Sequence, residues 1–115
     1  MGLFSSKKGN AIDLSSAHIA KVLEVKQELE ANANKLKAIM FQASTQEKKI
    51  LDQAYIDIKY ANPLVDDKIA AIDIEISKTL DDLKLLYARR VKSELTIANK
   101  INNLLELIQQ RQALE

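Results

Sequence analysis

The chain contains no cysteine and no tryptophan, and only one proline and two glycines among its 115 residues. Without cysteine, a disulfide framework and a thiolate metal site are excluded. Both glycines, Gly2 and Gly9, lie within the first ten residues, so no glycine-rich phosphate-binding loop can form inside the remaining chain. Turn formers and aromatic residues are too few for a sheet protein. These absences favour a fold built from long helices.

No charge of one sign dominates the chain, and no long apolar run occurs in it. The 17 basic and 16 acidic residues leave a net charge of +1, so no overall field draws the chain onto nucleic acid. No apolar run approaches the roughly 18 residues that a membrane span needs, and no secretory signal is evident. We therefore expect a cytoplasmic protein, at most peripheral to a membrane, although secretion without a cleavable signal stays open.

The single proline, Pro63, lies near the midpoint of the chain, between two stretches whose apolar residues recur at steps of three and four. Asn62 is a good N-cap and Pro63 suits the first helical position. The pattern predicts an all-α fold, a long antiparallel helical hairpin of two helices of about 45–50 residues each. We expect an N-terminal segment over 1–12, a first helix over 13–61, a turn at 62–63 and a second helix over 64–114.

One weak place interrupts the first helical pattern. The run from Ser44 to Glu47 matches a capping box, in which a serine and a glutamate three residues later satisfy free backbone N–H groups. We therefore consider a kink or break at 43–46 as the alternative to a continuous first helix. In the second helix the spacing slips between Leu80 and Val91, which predicts a locally unwound supercoil.

The second helix carries more apolar residues than one facing helix can cover. A two-stranded seam needs little beyond its a and d positions, and a wider stripe is typical of a helix with two or more neighbours. We expect the hairpin to complete its core by oligomerising or by packing on a helical partner. The candidate partner interface consists of Ile74, Leu85, Ile97, Leu104 and Leu107.

Folding at the hinge also brings other side chains of the two arms together. Phe41 should lie near Leu85 and Tyr87, which indicates a core role for this aromatic residue. A basic group should form at mid-length, either as an anion patch or as a solvated face with acidic neighbours, of which we favour the second. The group consists of Lys35, Lys37, Arg89, Arg90 and Lys92.

The first eight residues contain the sharpest local signal. Glycine at position 2 and serine at position 6 fit the myristoylation pattern, and two lysines follow. An acyl chain with adjacent lysines can hold a protein on anionic lipid. The alternative is an unattached tail, or a tail whose apolar pair fills a groove in a partner. The candidate membrane contacts are Gly2, Leu3, Phe4, Lys7 and Lys8.

Neither a catalytic nor a metal-binding pattern stands out. The only histidine, His18, lacks the second ligand of a Glu-x-x-His or His-Glu-x-x-His motif. Neighbouring acids such as Asp81 and Asp82 point about 100° apart on a helix, so they do not converge as an acid–base pair. We expect no cofactor and a non-enzymatic structural or adaptor protein, with a peripheral membrane protein as the alternative.

Two segments resemble known families. The opening Met1-Gly2-Leu3-Phe4-Ser5 resembles the start of the phage-shock and endosomal-sorting membrane-remodelling family, which implies a role at a membrane surface. The hairpin hinged at Asn62-Pro63 is similar in plan to type III secretion needle subunits, which turn at an Asn/Asp-Pro, and this resemblance implies a role in a secretion apparatus. The small helical hairpins of type VII secretion share this plan, but their Trp-x-Gly turn is absent here. We assign the chain to none of these families.

Overall fold

The computed structural model describes residues 9–115, with side chains from Ser16 onward. This part of the chain forms four α-helices and no strand. The helices are α1 (Gly9–Met40), α2 (Thr45–Lys59), α3 (Asp67–Ala88) and α4 (Glu94–Leu114). The prediction of an all-α fold is therefore confirmed, whereas the prediction of two long continuous helices is wrong. Each expected helix is a hairpin of two shorter ones.

The break between α1 and α2 occurs at the capping box. Ser44 has extended backbone angles, with φ −67° and ψ 166°. Its hydroxyl oxygen accepts the backbone N–H of Glu47 at 3.2 Å, and its own N–H donates to Glu47 Oε1 at 2.9 Å. Two backbone donors that would otherwise lack partners at the helix start are thus satisfied. The chain leaves the helix over residues 41–44, which overlaps the break considered at 43–46.

The break between α3 and α4 has no proline or glycine to cause it. Arg89 ends α3 in an extended conformation, and Ser93 caps α4 by accepting the Thr96 N–H at 3.3 Å. Leu86 and Ile97, which flank the break, are both buried in one core. A straight helix would hold these two residues about 16 Å apart along its axis. Burial of both sides of the hairpin therefore overrides the helix propensity of the local sequence.

The two hairpins are joined by residues 60–66, a longer connection than the two-residue turn expected at 62–63. The backbone N–H of Leu64 donates to the Asn62 carbonyl at 2.9 Å, which makes a tight turn around Pro63. The N-cap of α3 is Asp66, whose Oδ1 accepts the N–H groups of Lys68 and Ile69 at 2.8 and 3.1 Å. A carboxylate suits this position because the helix start is electropositive.

The four helices form a bundle in which α1 contacts α2 and α3, and α4 contacts α2 and α3. The helices of each hairpin are antiparallel, while α1 runs parallel to α3. Asn32 lies level with Asp73, and Lys35 with Ser77, so both helices advance in the same direction. The two hairpins thus lie side by side with their turns at one end.

One core runs through the bundle and draws on all four helices. Its fully buried members each contribute roughly 1.5–3 kcal/mol through burial of their apolar surface. The largest are Leu36, Ile39, Leu51, Ile69, Ile76, Leu80, Leu83 and Leu104. Each helix contributes at least one residue to this set, so each described hairpin buries its apolar side chains against the other.

The first helix continues beyond the bundle. Residues 16–21 are all exposed, and the first fully buried position of the described α1 side chains is Leu29. Ala61, at the end of the bundle opposite the turns, lies beside Leu29 and Leu23 in one cleft. The exposed stretch 16–21 therefore extends past the described bundle by about 9 Å. This projection contributes to the elongated form, which measures 65 × 23 × 19 Å.

Candidate interaction surfaces

A buried ion pair joins α3 and α4 close to the end from which α1 projects. Asp73 and Arg111 are each 3% exposed, and Arg111 Nε donates to Asp73 Oδ1 at 2.7 Å. Arg111 Nη1 donates to the carboxylate of Glu115 at 2.6 Å, and the Asn32 amide of α1 donates to the Asp73 carbonyl at 3.4 Å. Because these groups satisfy one another, the cluster fixes helix register and offers no free acid or base.

The spacing of Asp73 and Arg111 in the sequence indicates this pair, although neither residue was among the predicted site residues. Asp73 lies four residues after the buried Ile69 and three residues before the buried Ile76, on the core-facing stripe of α3. Arg111 extends the buried series of α4, three residues after Ile108. A charged residue on the buried stripe of each antiparallel helix indicates a buried pair, since an unpaired buried charge is costly.

A second polar contact ties the two hairpins together at their turns. The buried Tyr87 hydroxyl donates to Glu47 Oε1 at 2.8 Å. Burial, followed by the bond to Glu47 and its charge, raises the pKa of Tyr87. Partial burial acts to raise the pKa of Glu47, but hydrogen bonds from Ser44 and Tyr87 and the charge of Lys92 outweigh it and lower this pKa. The carboxylate therefore stays ionised at neutral pH and links α2 to α3 through this one side-chain hydrogen bond.

Acidification is expected to remove the stabilisation that Glu47 provides. Since its pKa is lowered in the folded protein, this stabilisation is present above the unfolded-state value near 4.5 and lost as pH falls through the folded value. Because the pKa of Tyr87 is raised, the stabilisation from its hydroxyl is fully present below the ordinary tyrosine pKa of 10.0 and is lost only in strong alkali. The melting temperature of the wild type should exceed that of Glu47→Gln at neutral pH, and the gap should close as the pH falls below 4.5 and the carboxylate becomes protonated. A gap that stays constant across this range would contradict the assignment.

The expected partner interface on the second arm is only partly on the surface. Ile97 and Leu104 are 2% and 0% exposed, because α4 folds back and packs them inside the bundle. Leu107 is half-buried against the core. Ile74 and Leu85, at 55% and 65% exposure, are the two members that remain accessible. Two of the five candidates thus belong to the chain's own core and cannot form a contact face in this fold.

Other apolar side chains that the sequence analysis did not select are open to solvent. Phe41, expected in the core near Leu85 and Tyr87, is 79% exposed because α1 ends at Met40 and turns away. Val91 and Leu95, in and beside the second turn, are 84% and 73% exposed. Only knowledge of the two breaks could have identified these positions, since each break moves its flanking residues out of the helical stripe.

The five basic residues expected at mid-length do not form one patch. Lys35 Nζ lies 3.0 Å from the carboxylate of Asp81 and donates to Ser77 Oγ at 2.8 Å. Arg89 follows Asp81 by eight residues, so it lies about 12 Å further along the axis of α3. The other four basic residues are exposed and lie towards the turns. Lys37 is near the end of α1, and the α3–α4 connection contains Arg89, Arg90 and Lys92. Lys35 thus lies on a solvated face with acidic neighbours, whereas Arg89, Arg90 and Lys92 form a separate group in the α3–α4 connection.

The candidate membrane contacts at Gly2, Leu3, Phe4, Lys7 and Lys8 lie outside the described residues. Among the helices that are described, none is long and apolar enough to cross a bilayer. His18 is exposed on the projecting part of α1. Within the described part of the chain, no group of three histidine or acidic side chains is arranged to hold a metal ion.

Comparison of the chain with protein-family models, with curated proteins and with solved structures finds no match to any of them. The function is therefore argued from the surfaces of this bundle alone.

Proposed function

We propose that this chain is a non-enzymatic structural or adaptor protein that binds helices, either those of a second copy of itself or those of another helical protein. The observation that carries this proposal is the projection of α1. Residues 16–21, whose side chains are all exposed, continue the helix beyond the part of α1 that packs on the described bundle.

A lone helical extension of this length gains little from its own hydrogen bonds. Isolated helices shorter than about 12–15 residues are marginal in water, and their stability in proteins comes mainly from packing of an apolar face. The projection and its base carry such a face, in which Ile19 and Leu23 are 58% and 52% exposed and Val22 is half-buried between them. A partner helix lying along this stripe would remove it from water.

The second arm exposes a smaller apolar surface than the sequence suggested. Ile74 lies on α3 in a groove between α1 and α3 that Lys35 and Lys78 also line. Exposed apolar residues scattered singly are normal on soluble proteins, so Ile74 alone carries no weight. The stripe on α1 differs because Ile19 and Val22 continue the three- and four-residue spacing of the helix back from Leu29, where the buried core begins.

Replacing Ile19 and Leu23 together with glutamine tests the proposal. Glutamine keeps helix propensity close to that of leucine while removing the apolar contact. We expect the wild-type chain to show a concentration-dependent mass above that of the monomer in light scattering, and the double variant to stay monomeric. Loss of the two apolar contacts should weaken association by roughly 1.5–3 kcal/mol per residue buried.

A matched control is the pair Ile56→Gln and Leu114→Gln, which are 41% and 43% exposed on other helices. This control should leave the mass unchanged. A wild-type chain that remains monomeric at millimolar concentration would contradict self-assembly. Rapid amide exchange along Gly9–Lys21 in that monomer would then support a separate helical partner, and strong protection there would contradict the proposal altogether.

A further inference from the structure

The two hairpin turns lie at one end of the bundle, which we call the turn end and define as residues 41–49 and 85–95. The hydrogen bond from Tyr87 to Glu47 joins the two segments. A shared groove between them is lined by Ala43 and Ile50 on one side and by Leu95 on the other. The turn end faces away from the projecting start of α1.

Exposed apolar side chains concentrate at the turn end. Among residues 16–115, four of the five most exposed large apolar side chains lie here, at 84%, 79%, 73% and 65% exposure. They are Val91, Phe41, Leu95 and Leu85. Phe41 and Val91 occupy the two turns themselves, so each hairpin presents an apolar side chain at its tip. Their position at the tips is not explained by packing within the described chain.

Basic residues surround these apolar tips. The turn end contains five basic residues against two acidic ones, Glu47 and Glu94. The basic residues are Lys48, Lys49, Arg89, Arg90 and Lys92. None of them forms an ion pair with another described residue, in contrast to Lys35 and Lys100 further along the bundle. Of the two acids, Glu47 lies near enough to Lys92 for that lysine's charge to lower its pKa, so it offsets part of the positive charge. With five basic and two acidic residues, the turn end still carries a net charge of +3 around an apolar centre.

We propose that the turn end docks on an anionic lipid surface, with Phe41 and Val91 entering the interface and the surrounding lysines and arginines contacting the headgroups. Apolar side chains set among cations are typical of proteins that lie on a membrane, because apolar burial and attraction to anionic lipid act together. The positive charge complements phosphatidylserine-type headgroups. This function is independent of helix binding through α1, which lies at the other end.

Vesicle flotation of the full chain tests this inference. Wild type should float with vesicles that contain phosphatidylserine, bind weakly to pure phosphatidylcholine, and be released at about 1 M salt, where charge attraction is screened within about 3 Å. The double variant Arg89→Gln/Arg90→Gln should lower the partition coefficient about 25-fold, at about fivefold for each cation removed. Phe41→Ser should lower it roughly tenfold or more through lost apolar burial.

A charge-matched control is Lys59→Gln/Lys68→Gln, which removes two exposed lysines from the opposite end. Its partition coefficient should stay near that of wild type, and circular dichroism should show all variants folded. Failure of wild type to float with anionic vesicles would overturn the inference. So would equal losses in the control and the arginine variant, or flotation that depends on residues 1–8 but not on Arg89 and Arg90. Light scattering of the same variants reports on helix binding separately.

Discussion

Replacing Asp73 with alanine is expected to lower the free energy of unfolding by about 3–5 kcal/mol, because it leaves the Arg111 guanidinium buried without its counter-charge. Both side chains are 3% exposed, so water cannot take over the lost hydrogen bonds without opening the bundle. Against a typical total of roughly 5–15 kcal/mol, a loss of this size leaves the fold marginal. Urea denaturation followed by circular dichroism measures the change.

Two further variants separate the buried pair from a general effect of charge removal. Glu75→Ala removes an exposed carboxylate of α3 whose partner Lys78 lies 3.5 Å away, and it should cost no more than about 1 kcal/mol. Asp73→Leu/Arg111→Met replaces both charges with apolar groups and should recover most or all of the lost stability. An Asp73→Ala variant as stable as Glu75→Ala would contradict the role assigned to the pair.

The second large effect is expected at Leu104. Its side chain is 0% exposed in the core between the hairpins. Leu104→Ala should cost about 2–5 kcal/mol, the sum of lost apolar transfer and the cavity left behind. Leu104→Glu should prevent folding, since it places an unpaired charge in the core. Denaturation curves and the dispersion of amide proton signals measure these outcomes.

Leu107 provides the matched comparison on the same helix. It is half-buried and lines a surface groove with Lys100 and Gln110. Leu107→Ala should therefore cost distinctly less than Leu104→Ala, by at least about 1 kcal/mol. The sequence-based hypothesis that both leucines lie on a partner surface predicts the opposite for Leu104, namely a soluble monomer after substitution with glutamate. Loss of fold in Leu104→Glu with retention of fold in Leu107→Glu distinguishes the two.

The fold class could be predicted from the sequence because a period of three and four residues identifies helices locally. The break at Ser44 was also within reach, since the capping box is a signal of four adjacent residues. The break at 89–93 was not, because the sequence there permits helix and only the joint burial of Leu86 and Ile97 opposes it. Such tertiary preference is not visible in a single stretch of chain.

The assignment of side chains to the surface or the core also depended on whether each break was predicted. Ile74 and Leu85 are exposed, so their place on a partner surface stays a prediction, whereas Ile97 and Leu104 were misplaced by the missing turn. Phe41 was assigned to the core on the assumption of a continuous first helix. Each error moves a residue between surface and core, because a single added turn reverses the direction in which the following helix runs.

The parallel placement of α1 beside α3 has a consequence for how the chain folds. Partners within each hairpin are close in sequence, so their loops close at little entropic cost. The contacts that join the hairpins bridge about 40 residues, as between Asn32 and Asp73, which are 41 positions apart. We therefore expect the association of the two hairpins, rather than the closing of either loop, to limit the folding rate.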